Sequence, residues 1–279
     1  MKKFILFFLL NVSFFIFANN HIKISNTTVK QGGFFYVEFP SDKDYEISFQ
    51  LSSDIKQFER DGFKYAFIPV HYSNAVGKYP IKIIEKGEII YSSDINLEDG
   101  NFKKSYITVN KKMEKKRSPE NMKKGADLIG EAKKNPSNKL WKGKFIHPVE
   151  KKISSPFGAM RFVNNKVVGY HSGIDYPVPI GTPLKATNDG KVVFAGQLPS
   201  TGYTLVIDHG MNVYSSYSHM SSFNVKSGQM VKKGENVGKS GNTGFTTGPH
   251  LHFTIAIGKT FVNPYLFINN TVLEKNNSK

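Results

Sequence analysis

Apolar residues recur at every second position through most of this chain, and a helical spacing occurs in one window alone. Side chains two apart share a face of a strand, so this patterning commits the bulk of the chain to sheet. From about His21 to Ile107 the alternation runs through Phe35, Val37 and Phe39, then through Tyr45, Ile47, Phe49 and Leu51. Further apolar runs occupy 63–70, 79–84 and 89–95, separated by Gln31-Gly32-Gly33, Asp61-Gly62 and Lys86-Gly87. Short strands with turn signals at these spacings predict a small antiparallel sandwich. His71, just past a strand-like run, reads as a surface or core residue rather than a ligand.

Between Asn110 and Lys144 the composition shifts to lysine. Ser118 suits an N-cap, Pro119 the first helical position, and Pro136 forbids continuation. Met122, Ala126 and Ile129 fall at helical spacing, which predicts a connecting helix with one apolar face to rest on a domain. Lys111, Lys112, Lys115, Lys116 and Arg117 read as solvating this connection, with contact to a glycan as the alternative. From about Phe145 to Leu266 the chain returns to strands and glycine-rich turns, such as Gly181-Thr182-Pro183 and Asp189-Gly190. The tight hairpins expected over 225–238 are like those of biotin or lipoyl carriers, but no lysine is placed at a tip for modification.

The fold class expected is therefore mainly β. A β-sandwich-like N-terminal domain (19–108) leads through a basic helical linker (109–144) to a C-terminal antiparallel β domain (145–268) and a polar tail (269–279). A chain of 279 residues is long for a single core, which favours two domains. Lys2 and Lys3, the apolar run from Phe4 to Phe17 and then Ala18 outline a signal peptide over 1–18. An uncleaved anchor is the alternative, because Ile16 is larger than the residue usually accepted three positions before the cut. The absence of cysteine excludes disulfides, thiolate metal sites, cysteine nucleophiles and a lipid-modified cysteine. A formal charge of +16 predicts either an anionic partner, which behind a leader is an extracytoplasmic polyanion rather than nucleic acid, or a lysine-rich surface that only keeps the protein in solution.

Five of the eight histidines, His171, His209, His219, His250 and His252, crowd into the last domain. In His250-Leu-His252 the strand period puts both rings on one face and Leu251 on the other. In His171-Ser-Gly-Ile-Asp175 an irregular segment can aim an imidazole and a carboxylate at one point, and Tyr217-Ser-His219 closes an alternating run. Two neutral imidazoles and a carboxylate are a common catalytic zinc set with a position left for water. Three ligands and two helpers account for the cluster, and spacing does not say which histidine plays which part. Nor does it distinguish zinc from another divalent ion.

Over Phe145 to Tyr265 the sequence resembles the lysostaphin and LytM type of peptidoglycan metallopeptidases. The resemblance rests on Ser-Ser-Pro-Phe-Gly at 154–158, His-Ser-Gly-Ile-Asp at 171–175, Tyr-Ser-His-Met at 217–220 and Thr-Gly-Pro-His-Leu-His-Phe at 247–253. It implies that His171, Asp175 and His252 bind one Zn2+ per chain, and that His219 and His250 activate water and stabilise the tetrahedral oxyanion. Met220 replaces a usual leucine and Thr254 stands where many members carry Glu, which bears on packing and substrate preference. His209 matches a family position with a structural role. Arg161 is a candidate substrate-binding residue, with pairing to an acidic neighbour as its alternative.

The layout as a whole is similar to Gram-negative cell-shape endopeptidases. It implies a periplasmic D,D-endopeptidase, with D,D-carboxypeptidase trimming, that remodels the wall as a monomer on peptidoglycan and requires no membrane contact. The rivals are a non-catalytic LytM-type regulator and a binding module, both of which predict no metal. The N-terminal domain is expected to regulate, by covering the groove, or to act as scaffold or targeting unit. Under the first reading, deletion of 19–108 raises activity.

Overall fold

The computed structural model describes residues 21–273. The leader expected over 1–18 and the end of the polar tail lie outside the described residues. Among the described residues no helix is long and apolar enough to cross a membrane.

The chain opens with β1 (Lys23–Ile24), β2 (Thr28–Lys30), β3 (Phe34–Pro40), β4 (Glu46–Phe49), β5 (Phe58–Arg60), β6 (Phe63–Pro69), β7 (Gly77–Glu85) and β8 (Glu88–Glu98). These make two four-stranded sheets, ordered β1-β3-β6-β5 and β2-β8-β7-β4. Phe35, Val37 and Phe39 of β3 meet Ile81 and Ile83 of β7 and Ile95 of β8 in a core from which water is excluded. The alternation read from the sequence is the physical pattern here, since one face of each sheet supplies this core.

The other face of the first sheet is also covered. Phe34 stacks on Phe267 at 5.0 Å, and Phe67 of β6 meets the edge of Trp141 at 6.1 Å. The unbroken apolar run from Tyr65 to Val70 follows from this double burial, because a strand covered on both faces has no polar side to present.

After the sandwich, β9 (Lys104–Ile107) leaves for the second half of the chain. It pairs in parallel with β10 (Met160–Val163), which is itself antiparallel to β11 (Lys166–Tyr170). Between these strands lie α1 (Lys111–Lys116) and α2 (Pro119–Ala132). Asn110 Oδ1 accepts from the Met113 N–H at 2.9 Å, Ser118 Oγ from the Asn121 N–H at 3.3 Å, and Pro119 fills the first helical position. The basic stretch thus holds two capped helices rather than one, and its end is core: Trp141 is 1% exposed.

The remaining strands are β12 (Ile174–Tyr176), β13 (Pro183–Lys185), β14 (Gly190–Leu198), β15 (Gly202–Gly210), β16 (Val213–Phe223), β17 (Met230–Val231), β18 (Asn236–Ser240), β19 (Leu251–Ile257) and β20 (Thr260–Val262), followed by α3 (Tyr265–Ile268). All but α3 join one antiparallel sheet with the central order β12-β19-β16-β15-β14-β17. Tyr217, Met220, Leu251, Phe253 and Ile255 are buried beneath it. Met220, read as a packing substitution, lies in this core.

Candidate metal centre and active site

Strand period and register assemble the site. In β19, Leu251 and Phe253 point into the core, so His252 between them must face the other way. The antiparallel register sets Asp175 of β12 directly opposite His252. Gly173 is required on the approach to β12, because a Cβ there would stand 2.1 Å from the Phe253 carbonyl oxygen. That close approach lets His171, just before the strand, converge with Asp175 of β12.

His171 Nε2 lies 3.0 Å from Asp175 Oδ1 and 3.0 Å from His252 Nδ1, and His252 Nδ1 is 2.8 Å from the same carboxylate oxygen. One ligand atom from each residue lies within 4.8 Å of the others. The outer atoms are held. His171 Nδ1 donates to the Pro156 carbonyl at 2.8 Å, which leaves Nε2 with a lone pair facing inward. Ser155 Oγ stands 3.1 Å from the same Nδ1, and Ser172 Oγ 3.4 Å from His252 Nε2. Arg161 donates to Asp175 Oδ2 at 2.9 Å, leaving Oδ1 for the centre. Two imidazole nitrogens and a carboxylate oxygen, each oriented from behind, fit a divalent metal.

His219 and His250 face the same space. In β16, Ser218 and His219 together oppose Thr204 of β15, a bulge that breaks the register. His219 adopts φ 60° there, a left-handed backbone uncommon outside glycine, and this re-aims the imidazole. Its Nδ1 donates to the Thr243 carbonyl at 2.7 Å, and His250 Nδ1 to the Gly248 carbonyl at 2.8 Å. Both rings therefore present an unprotonated Nε2. Their centroids are 4.7 Å apart, and His250 Nε2 is 3.8 Å from Asp175 Oδ1.

Burial governs the electrostatics. It lowers the His219 pKa to about 3, helped by His252 and His250, and that of His252 to about 4 against the pull of Asp175. Burial alone would raise the Asp175 carboxyl, but hydrogen bonds from His171 and His252, and their charge, hold it well below its ordinary range. At neutral pH His219 and His252 are thus neutral beside an ionised Asp175.

These groups line a cleft of about 330 Å³ whose other wall is made by Arg117, Met122, Gly125, Ala126 and Ile129. No residue of β1–β8 lines it. His209 lies outside the cleft, fully buried, with Nδ1 2.7 Å from the Asp189 carbonyl and Nε2 2.8 Å from Ser215 Oγ. All five residues read from the sequence as ligands or helpers line this cleft. Of the groups that orient them, Ser155 and Pro156 fall inside the 154–158 motif, Ser172 inside 171–175 and Gly248 inside 247–253, Arg161 has an acidic neighbour among its readings, and Thr243 alone carries no signal. The cleft wall from α2 carried none, since helical spacing states that an apolar face exists but not what it covers.

An antiparallel sheet that gathers this donor set at the floor of an open cleft defines a protein with a candidate divalent-metal site. More particularly, residues 169–264 match Peptidase family M23, and that part of the chain is a domain of this family. Over 125 residues the chain is 42% identical to the DD-carboxypeptidase/endopeptidase Mpg of Neisseria meningitidis serogroup B, which covers 44% of this chain and 29% of that protein. Over 120 residues it is 42% identical to the peptidoglycan DD-endopeptidase ShyA of Vibrio cholerae, covering 42% of this chain and 28% of that one. The chain therefore matches less than a third of the length of these curated relatives. A crystal structure assigned to a peptidase M23 of Pseudomonas aeruginosa matches with a TM-score of 0.62 at 25% identity, over 88% of this chain and 96% of that one.

Proposed function

We propose that the chain is a zinc-dependent peptidoglycan hydrolase that cuts D-alanyl cross-links as a D,D-endopeptidase and trims stem peptides as a D,D-carboxypeptidase. The observation that carries this reading is the convergence of His171 Nε2, His252 Nδ1 and Asp175 Oδ1 within one cleft beside His219 and His250. The names of the relatives Mpg and ShyA supply the substrate class. Wall remodelling, and through it cell shape, is the role this activity serves. The leader expected over 1–18 would deliver it to the periplasm, where peptidoglycan lies.

In this reading His171, Asp175 and His252 hold the zinc. Bound there, zinc supplies Lewis acidity, polarising the scissile carbonyl and acidifying a water. The protein does the rest. Arg161 holds the Asp175 carboxylate in one orientation. His219 and His250, fixed through Nδ1, take the proton of the attacking water at Nε2, return it to the departing amine and stabilise the developing oxyanion. Their fixed tautomers favour this use, because an imidazole that must first reorient accepts a proton less readily. The sandwich serves as a scaffold in this reading, since its outer face packs under the catalytic sheet and its strands stay clear of the cleft.

The test is digestion of purified cross-linked muropeptides by residues 19–279, with and without a zinc chelator, read by mass. Conversion of dimers to monomers that the chelator stops is the expected result. Folded, zinc-loaded protein that leaves the dimers intact would refute the hydrolase, and protein that binds no zinc would favour a non-catalytic regulator.

A further inference from the structure

Arg117 sits in the cleft without an anion. It follows the last turn of α1, half-buried, and lines the same cavity as His171, Asp175, His219, His250 and His252. Its guanidinium lies 5.8 Å from the ring centroid of Phe245, another cleft residue. Beside it, Lys116 Nζ donates to the Gly244 carbonyl at 2.9 Å, which fastens this turn of the linker to the loop leading to His250.

The two carboxylates that share a cavity lining with Arg117 each accept from another donor. Glu114, the acidic residue of α1, accepts from Asn164 Nδ2 at 2.6 Å. Asp175, the one carboxylate among the residues lining the cleft, accepts from Arg161 and contacts both His171 and His252. Among the described residues no ion pair involves Arg117. Burial, reinforced by the charge of Arg161 and opposed by Tyr72, lowers its pKa, which marks a cation partly stripped of water. An arginine fork placed this way suits a planar carboxylate better than any other common anion of a peptide.

Resting on the hydrolase reading, we infer that Arg117 is a substrate-recognition residue, binding a free carboxylate of the stem peptide and seating the scissile bond against the metal centre. The linker thereby contributes specificity to the catalytic domain. Arg161 lines the same cleft but gives one guanidinium nitrogen to Asp175, which ties it to the metal centre.

The experiment compares two muropeptide dimers, one with free stem carboxylates and one with those carboxylates amidated, cleaved by zinc-loaded residues 19–279 and its Arg117→Gln and Arg117→Lys variants. Circular dichroism and zinc content establish that each protein is folded and loaded. Arg117→Gln is expected to raise KM for the free acid roughly ten- to hundredfold, the loss of one charge-assisted contact, and to leave KM for the amide unchanged. Arg117→Lys should recover part of the loss. An equal effect on both substrates, or none, overturns the inference while leaving the hydrolase intact. So does a gain in turnover on both, which would make the linker a restraint on the cleft. Wild-type protein that cleaves neither dimer removes the hydrolase reading, and this inference with it.

Discussion

Distance to Asp175 Oδ1 separates three of the cleft imidazoles: His252 at 2.8 Å and His171 at 3.0 Å stand closer than His250 at 3.8 Å. His252→Ala should therefore lose the bound metal. His219→Ala should keep a stoichiometric metal-to-protein ratio while turnover falls roughly a hundred- to ten-thousandfold, the usual worth of a general acid–base group. Loss of metal from both variants would make His219 a ligand. His209 belongs to stability instead. Burial lowers its pKa from 6.5 to about 4, so the unfolded chain takes up a proton on this ring before the folded chain does. Its contribution is thus intact above about pH 6.5 and is lost as pH falls towards 4, by roughly 3 kcal/mol in all. Denaturant titrations at pH 7 and pH 4.5 should show a smaller acid loss for His209→Gln than for the wild type. Equal losses would mean that other groups carry the acid sensitivity.

Among the elements, the pairing of β12 with β19 does most for the site, because it alone sets Asp175 opposite His252. A Cβ at position 173 would meet the Phe253 carbonyl oxygen at 2.1 Å, too close to accept without moving backbone. Gly173→Ala should cost about 1–3 kcal/mol in stability, as overpacking does, and weaken metal binding as the register opens. Chelator competition measures the second effect, and unaltered affinity would show that the loop bends independently of β19. Much at this scale was legible. His250 and His252 on one face follow from the strand period, and Ser118 and Pro119 mark the start of α2. The bulge at Ser218–His219 was not, since it depends on two strands slipping against each other rather than on either alone.

Across the whole molecule, the two β-rich halves share apolar cover rather than hanging from a flexible joint. Phe67, on the sandwich, is 3% exposed against Trp141 and Phe34. Phe67→Ala should cost about 3–5 kcal/mol, with the catalytic residues untouched. A thermal melt that moves the two halves together is the expected outcome, and separate transitions with the catalytic half unshifted would contradict the shared core. By the same geometry, removing 19–108 is expected to uncover aromatic surface rather than release a groove. The sequence by itself determined the strand and helix periods, the helix start and the composition of the site, because each is written in spacings of a few residues along one element. Only the tertiary structure decided that β9 pairs with β10, that Arg161 belongs to Asp175 and that Arg117 reaches the cleft. Those choices join residues far apart in the chain, where packing and loop closure select the partner and local pattern does not.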